Sequence, residues 1–307
     1  MPATITLERE DIGAAARDPL LVAMHRAVAP HGEARDDYDI FAGLAERLGL
    51  VEQFTEGRSA REWLRYLYES TCRALSARGA EVPNFEQFWE AGELMLPTLP
   101  WDGGIVRAFR RDPDAAPLPT PSGRVEIAST TIASFGYEDC LEHPMWLAPS
   151  EGAGSPAAAR FPLHLVANQP ATRLHSQLDF GATSLASKIK GREPVRIHPQ
   201  DAAARGISDG DIVRLYNDRG ACLAGAVLSE ALRPGVVQLS TGAWYDPADP
   251  TAEKPLCVHG NPNVLTRDAG TSRLAQGCTG QLCLIEIERF EGPLPRVRAF
   301  DPPPGAA

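Results

Sequence analysis

Apolar residues in the first hundred positions recur every three or four residues, the spacing that places them on one face of a helix. One such run ends at Gly49, and a second follows the segment Ser59-Ala60-Arg61-Glu62 and ends at Gly79. A serine three residues before a glutamate is typical of a capping box, in which each side chain bonds to the backbone N–H of the other residue. Asn84 opens a third, shorter run. The first half is therefore predicted to be mostly helical.

Segments rich in proline and glycine divide the chain. Residues 97–122 are rich in Pro, Gly and Asp and are predicted to be loop, and residues 125–127 are predicted to form a short strand. Residues 149–159 have the sequence Pro-Ser-Glu-Gly-Ala-Gly-Ser-Pro-Ala-Ala-Ala, which is typical of a linker between domains. We therefore expect three parts: residues 1–150, residues 160–290 and a tail at residues 291–307.

The second half has the pattern of short strands. Apolar residues alternate with other residues from Phe161 to Ala167, as expected of a strand with one buried face. Further strands are predicted at residues 195–197, 212–216, 221–227, 236–239 and 282–288, with a hairpin turn at 217–220 and a short helix at 199–206. Several short strands with one small helix favour a compact β-barrel. Residues 242–263 lack periodicity and are too long for an idle loop, so they are either functional or disordered.

Composition and charge narrow the classes of function. Hydrophobic residues make up 43% and charged residues 23% of the 307 residues, and the formal net charge is −10. A general nucleic-acid binder needs a basic surface, so this class is not favoured. No stretch approaches the roughly 20 apolar residues that cross a bilayer. The six cysteines have no zinc or iron–sulfur spacing, which favours free thiols.

Two polar segments carry groups that suit a ligand. Residues 168–177 follow a predicted strand and have the sequence Asn-Gln-Pro-Ala-Thr-Arg-Leu-His-Ser-Gln. Their amides, guanidinium, imidazole and hydroxyls suit a phosphate or the edge of a heterocycle. Residues 259–263 have the sequence His-Gly-Asn-Pro-Asn, whose Gly and Asn permit a backbone with amides that converge on an anion. An ordinary polar loop is the alternative for each segment.

No motif of a known catalytic class is present. The sequence lacks GxSxG, HExxH, a Walker loop and GxGxxG. Four acidic residues are predicted to be solvated, because nothing in their spacing pairs them: Asp179, Glu193, Asp201 and Asp209. Four basic residues are predicted to be mostly exposed to solvent, the alternative being that they add positive field near a bound phosphate: Lys188, Lys190, Arg192 and Arg196.

Several short motifs, in order along the chain, resemble those of one known family. In the second half they are Leu174-His175-Ser176-Gln177, Gly242-Ala243-Trp244-Tyr245-Asp246-Pro247, Gly260-Asn261-Pro262-Asn263-Val264-Leu265-Thr266 and Gly270-Thr271-Ser272-Arg273-Leu274-Ala275-Gln276. In the first half they are Thr6-Leu7-Glu8-Arg9, Asp39-Ile40-Phe41, Thr120-Pro121-Ser122-Gly123 and His143-Pro144-Met145-Trp146. Each motif alone is weak, but their joint occurrence is specific. The chain resembles the C-terminal part of a molybdopterin oxidoreductase of the dimethyl sulfoxide reductase family, in the branch of the trimethylamine-N-oxide, dimethyl sulfoxide and biotin sulfoxide reductases.

This resemblance implies an α+β fold, with a mostly helical remainder of the family's large catalytic region over residues 1–150. A double-psi β-barrel that binds molybdopterin dinucleotide would follow over residues 160–290. The family's cofactor is a molybdenum held by two molybdopterin guanine dinucleotides, or bis(molybdopterin guanine dinucleotide) molybdenum. Eight residues are implied to bind it: Asn168, Gln169, Arg173, His175, Ser176 and Gln177 at one pterin and its phosphates, and Asn263 and Gln281 at the second. No catalytic residue and no metal ligand is expected in this sequence.

The resemblance also implies an activity for the intact protein. It would reduce an S-oxide or N-oxide (dimethyl sulfoxide, trimethylamine N-oxide, biotin sulfoxide or methionine sulfoxide) by oxygen-atom transfer, with a separate electron donor. In this branch a serine outside the matching region binds molybdenum, so we expect these residues to be a fragment, inactive without the missing N-terminal part of the same protein. In the isolated chain, exposed apolar surface is expected around Trp63, Leu67 and Trp89. For the intact protein, the bacterial cytoplasm is favoured over the periplasm. The alternatives are a stand-alone, non-catalytic pterin-dinucleotide-binding module and a remnant without a ligand.

Overall fold

The computed structural model describes residues 2–16, 18–77, 79–97, 103–277 and 282–302. Contacts within the chain separate two compact units, Met1–Arg124 and Val125–Ala307, and each is described by itself. The division by contacts lies earlier than the predicted boundary at residues 150–160, so the predicted linker belongs to the second unit. The boundary between the family's domains stays a prediction.

The first unit combines helices with a small antiparallel sheet. Its helices are α1 (Asp37–Arg47), α2 (Val51–Thr55), α3 (Ala60–Ser76), α4 (Phe85–Ala91) and α5 (Gly104–Arg111). Its strands are β1 (Asp11–Ala14), β2 (Leu20–Met24) and β3 (Glu93–Met95), in the order β1-β2-β3. The sheet is absent from the sequence prediction because its strands are short and Leu20 pairs with Met95, far along the chain, so that no hairpin signal marks the pairing.

Two further predictions for this region are wrong. Helix α5 lies inside the segment predicted to be loop, because the Pro, Gly and Asp residues of that segment flank the helix rather than interrupt it. Residues 125–127 form no strand, and Val125 and Ile127 are 70% and 84% exposed. A strand of three residues needs a partner to be stable, and a local pattern cannot supply one.

Aromatic side chains form the core of the first unit. Tyr68 of α3 stacks on Phe88 of α4 with ring centroids 4.5 Å apart, and Phe85 and Trp89 are buried beside them. Trp89 is 7% exposed, so the expectation of exposed apolar surface is wrong there. It holds for Leu67, which is 54% exposed.

The predicted capping residues begin the two helices that carry this core. Ser59 Oγ accepts from Glu62 N at the start of α3, and Asn84 Oδ1 accepts from Gln87 N at the start of α4. Both helix starts are therefore fixed by local hydrogen bonds that the sequence makes visible.

The second unit is a closed β-barrel with short helices around it. Its strands are β4 (Leu163–Val166), β5 (Pro194–Ile197), β6 (Ile212–Tyr216), β7 (Ala221–Leu228), β8 (Val236–Leu239), β9 (Leu256–Cys257) and β10 (Leu282–Arg289). Its helices are α6 (Thr130–Ala133), α7 (Ala182–Ser187) and α8 (Pro199–Ala203). The strand order is β5-β8-β4-β10-β6-β7-β9, and β5 also pairs with β7, so six strands close into a ring. The predicted barrel is confirmed. No helix among the described residues is long and apolar enough to cross a membrane.

Successive side chains along each strand point alternately into the barrel and out of it. Leu165 of β4 and Val237 of β8 are 0% exposed and belong to the main core. The residues that follow them point to the other face of the sheet. Val166 pairs with Gln238, and Gln238 pairs with Arg196 of β5, so these three side chains lie at one level on the outer face.

The predicted linker is tied to the barrel by Glu151. Its carboxylate accepts from Arg219 Nη1 at 2.7 Å and Nη2 at 2.9 Å, and from the backbone N–H of Leu284 at 3.0 Å. A two-pronged pair with an additional backbone bond fixes orientation as well as position. This end of the segment is therefore anchored, although its composition is that of a linker.

Candidate functional site

Residues 168–177, here called the site loop, leave the end of β4 and include a tight turn. Gln177 N donates to Leu174 O at 2.9 Å, and His175 between them has a φ of 51°, in the left-handed region. His175, Ser176 and Gln177 are exposed. Backbone of this kind persists only where surrounding contacts hold it, and it is frequent at ligand sites.

Gly242 and Trp244 hold this turn from a second segment of the chain. Gly242 follows β8 with a φ of 90°, and a Cβ at this position would lie 1.9 Å from His175 O. Trp244 Nε1 donates to Ser176 O at 2.8 Å. Two motifs that are about 70 residues apart in the sequence therefore meet at the turn.

Five ionisable side chains, here called the buried charge cluster, lie behind this contact: Arg173, Asp179, Lys188, Glu193 and His259. Arg173 Nη1 and Lys188 Nζ lie 3.1 and 3.0 Å from Glu193 Oε2, and Lys188 Nζ lies 2.8 Å from Asp179 Oδ1. None of the five side chains is more than 3% exposed. Two cations and two carboxylates balance each other, as burial requires, because an unpaired charge out of water is costly.

Arg173 connects the buried charge cluster to the site loop and to the segment that follows β8. Its Nε donates to His175 O at 3.1 Å, and its Nη2 donates to Thr241 O at 2.8 Å. The Arg173 side chain is 0% exposed, so it offers no free fork to a phosphate in this arrangement. Direct contact of Arg173 with the cofactor stays a prediction, and it would require one of these bonds to open.

The cluster shifts the titration of two of its members. Burial raises the pKa of Asp179, but hydrogen bonds from Lys188 Nζ and Trp244 N, with the charges of Lys188 and Arg173, outweigh this and leave the pKa below its ordinary value. Burial, followed by the charge of Lys188, lowers the pKa of His259. His259 Nδ1 lies 2.9 Å from Trp244 O, which can only accept, so Nδ1 carries the proton of the neutral ring. Its Nε2 is buried with no hydrogen-bond partner among the described residues.

His259 also begins the second polar segment, residues 259–263. Gly260 has a φ of 99°, and a Cβ there would lie 2.7 Å from Glu193 Cβ, so this segment packs closely against the cluster. Asn261 Oδ1 accepts from Asn263 N at 2.9 Å, and Asn263 itself is exposed. The buried charge cluster thus joins the two polar segments that the sequence singles out.

A pocket of about 160 Å³ lies beside the start of the site loop. This outer-face pocket is lined by residues of the loop, of α7 and of strands β5 and β8, among them Asn168, Gln169, Thr172, Ser187, Glu193, Arg196, Gln238 and Ser240. Ser240 Oγ donates to Asn168 Oδ1 at 3.2 Å across its wall. Most of the polar lining is uncharged amide or hydroxyl.

The eight residues predicted to bind the cofactor fall in different places: Asn168 and Gln169 at the outer-face pocket, His175, Ser176 and Gln177 in the exposed turn, Arg173 in the buried charge cluster, Asn263 exposed in the second segment, and Gln281 outside the described residues. The contact of each of these residues with the cofactor stays a prediction.

The expected exposure of the charged residues is partly wrong. Asp179 and Glu193 are 0% and 2% exposed rather than solvated, because each accepts from Lys188 and lies near Arg173. Lys188 and Arg192 are likewise buried, whereas Lys190 and Arg196 are exposed as predicted.

The sequence alone assigned no role to Trp244, Asp179 or Glu193, and it suggested for Lys188 only a field near a phosphate. Trp244 lies within a motif quoted for the family resemblance, which was the one available signal. The charged residues of the cluster occur at irregular separations on different elements, so no spacing rule links them. Among the described residues, no group of three or more His, Cys, Asp or Glu side chains is arranged to hold a metal ion.

The second unit matches a known domain family, and the whole chain is similar to known reductases. The model of the family described as Molydopterin dinucleotide binding domain matches residues 163–284, from β4 into β10. The chain is 45% identical to a dimethyl sulfoxide/trimethylamine N-oxide reductase of Cereibacter sphaeroides over 100% of its own length. It is 46% identical to a biotin sulfoxide reductase of the same organism over 95% of the chain, and 45% identical to a trimethylamine-N-oxide reductase of Haemophilus influenzae over 99%. The chain is thus similar over nearly its whole length to dimethyl sulfoxide, trimethylamine-N-oxide and biotin sulfoxide reductases, and its second unit contains the molybdopterin dinucleotide-binding domain.

The chain spans 38%, 39% and 37% of the lengths of these three reductases. A solved structure of acetylene hydratase from Pelobacter acetylenicus superposes with a TM-score of 0.68 over 94% of the chain and 38% of the hydratase, at 20% identity. At that identity the likeness concerns the fold alone. The predicted family and the dinucleotide-binding barrel are confirmed.

Proposed function

We propose that the second unit of this chain binds molybdopterin guanine dinucleotide in a larger oxidoreductase that reduces S-oxides or N-oxides. The observation that carries the proposal is the contact between the site loop and the Gly242–Trp244 segment. It holds His175 in a rare conformation and exposes three motif side chains side by side. Because the chain spans under two fifths of its relatives, the activity is proposed for a protein that also contains the rest of their length.

The residues fit this group through their chemistry. Amides at Asn168, Gln169, Gln177 and Asn263 can pair with the donor and acceptor edge of a pterin or a guanine, and His175 and Ser176 can donate to phosphate oxygens. Gln281 belongs to the same proposal by its place in the sequence. The molybdenum of the bound cofactor supplies the redox chemistry of oxygen-atom transfer. The residues of this chain bind and orient the organic part, and none of them is proposed to be catalytic.

We propose for the whole protein a substrate among dimethyl sulfoxide, trimethylamine N-oxide, biotin sulfoxide and methionine sulfoxide, and a separate electron donor. The N-terminal part of the same protein is the proposed partner of this chain. The bacterial cytoplasm is the favoured compartment. A second candidate, a non-catalytic module that only binds the pterin dinucleotide, would use the same residues. The two differ in whether the longer protein oxidises a reduced dye when an S-oxide or N-oxide is added.

Binding is tested by titrating the chain with air-oxidised, fluorescent molybdopterin guanine dinucleotide. His175→Ala and Asn263→Ala are each expected to weaken binding about three- to tenfold, the usual effect of one lost hydrogen bond. Arg233→Gln, an exposed change before β8, is the control and should leave binding unchanged. Full affinity in both alanine variants would contradict the proposed site.

A further inference from the structure

The outer-face pocket is built on three neighbouring strands. Gln238 of β8 lies between Val166 of β4 and Arg196 of β5 in the register of the sheet. One step further along, Ser240 and Asn168 lie on the same face and are hydrogen-bonded. The pocket therefore rests on the barrel wall, a rigid support for a binding site.

Among the residues that the structure describes, two charged side chains line this pocket, and only one of them, Glu193, is ion-paired. Glu193 reaches the lining, but its carboxylate is held by Arg173 and Lys188 at 3.1 and 3.0 Å. Arg196 is exposed, and its guanidinium makes no hydrogen bond or ion pair with the described parts of the chain. The lining thus presents one unpaired positive charge, surrounded by amides and hydroxyls.

Such a lining selects an anion with hydrogen-bonding oxygens. A guanidinium presents a planar fork of N–H groups that matches two oxygens of a phosphate, and nearby amides and hydroxyls complete the set. The volume of about 160 Å³ is smaller than the roughly 300–1,000 Å³ of sites that enclose a whole small molecule. The pocket accordingly suits one part of a larger ligand.

We propose that Arg196 binds a phosphate of the nucleotide half of the dinucleotide, with the phosphate seated in the outer-face pocket. This inference rests on the proposed function, because the ligand is the dinucleotide proposed there. The phosphate contact is assigned to Arg196 because the side chain of Arg173, the arginine of the site loop, is 0% exposed and already bonded to Glu193 and to two carbonyls. Residue 196 is exposed on a regular strand, so its side chain reaches the pocket without rearrangement of the barrel.

The test is a titration of the 307-residue chain with GDP, with pyrophosphate and guanosine as partial ligands. GDP and pyrophosphate should compete with each other, and guanosine should displace neither. Arg196→Gln should weaken GDP binding at least about tenfold, because a charge-assisted fork is lost. The GDP affinity of Arg196→Lys should lie between those of the wild type and Arg196→Gln, because lysine keeps the charge and loses the planar fork of N–H groups. Arg233→Gln removes the same charge at an exposed position before β8 and should change GDP binding less than about twofold.

The outcomes separate this inference from the proposed function. Equal GDP affinity in the wild type and Arg196→Gln, with the oxidised dinucleotide still bound by the wild type, overturns the role of Arg196 and leaves the proposed function standing. Equal losses in Arg196→Gln and Arg233→Gln show a general charge effect and also overturn it. A wild-type chain that binds neither GDP nor the dinucleotide overturns both. Because Arg196 makes no hydrogen bond or ion pair with the residues that the structure describes, the variant should keep the wild-type thermal unfolding midpoint, which checks that a loss of binding is not a loss of fold.

Discussion

Arg173 contributes to the site through the residues it holds. Its guanidinium bonds to the Glu193 carboxylate, to Ser184 Oγ at 3.3 Å and to the carbonyl oxygens of His175 and Thr241. Loss of one member of a buried ion pair leaves the other charge uncompensated, at a cost of about 3–5 kcal/mol. Arg173 is therefore a positioning residue for the turn that carries His175.

Arg173→Gln is expected to lower the free energy of unfolding of the second unit by about 3 kcal/mol or more. The matched control is Arg160→Gln, which breaks the Arg160–Asp218 pair, whose side chains are 66% and 64% exposed. An exposed pair is worth about 0–1 kcal/mol. Urea denaturation of both variants measures the difference, and similar losses in the two would show that the buried charge cluster is not a structural unit.

His259 predicts a pH dependence of stability. Its pKa in the folded chain lies below the ordinary value of 6.5, so as the pH falls the unfolded chain takes up this proton first. Stability is therefore lost below pH 6.5, with a slope of up to about 1.4 kcal/mol per pH unit. His259→Asn keeps an N–H for Trp244 O and removes the titration, so it should flatten the profile of unfolding free energy between pH 6.5 and 5. An unchanged slope in this variant would contradict the buried neutral imidazole.

At the level of elements, the site depends on the close approach of the chain after β8 to the site loop. This approach requires a positive φ and the absence of a Cβ next to His175 O, and Gly242 meets both requirements. Gly235, just before β8, has a φ of 85° with open space around it, so it shares the first requirement and lacks the second.

Gly242→Ala and Gly235→Ala therefore separate the two effects. The strain of a positive φ is expected to cost about 1–2 kcal/mol in each variant. Gly242→Ala should lose at least about 2 kcal/mol more, because the His175 backbone must move, and it should also weaken binding of the oxidised dinucleotide. Denaturation curves and the dinucleotide titration provide the comparison. Equal stability and equal binding in the two variants would show that the close approach has no role.

The same elements show what sequence patterns can reveal. Strand β4 can be predicted because its buried and partly buried residues alternate, and the start of α3 because the Ser59–Glu62 capping box is local. The pairing of Leu20 with Met95 leaves no local trace, so the small sheet is not predicted. The polar character of the site loop is likewise visible in the sequence. The burial of Arg173 is not, because it depends on Glu193 and Thr241, which other strands bring into contact with it.

At the scale of the molecule, the second unit has a self-contained core in a closed barrel, and the site lies on loops between its strands. This arrangement is common for binding sites, because a rigid scaffold holds loops that vary in chemistry. The barrel and the family could be predicted from patterns and motifs. The contrast between the buried, ion-paired Arg173 and the exposed Arg196 is visible only in the three-dimensional structure, because it depends on which charges the fold brings together.

Titration of the wild-type 307-residue chain with fluorescent oxidised molybdopterin guanine dinucleotide tests whether this chain supplies the dinucleotide-binding part of a molybdenum oxidoreductase. We expect saturable binding that GDP displaces and that added salt weakens, since a phosphate contributes to the binding. Absence of saturable binding by a chain whose barrel is folded, as judged by a cooperative unfolding transition, would contradict this binding role.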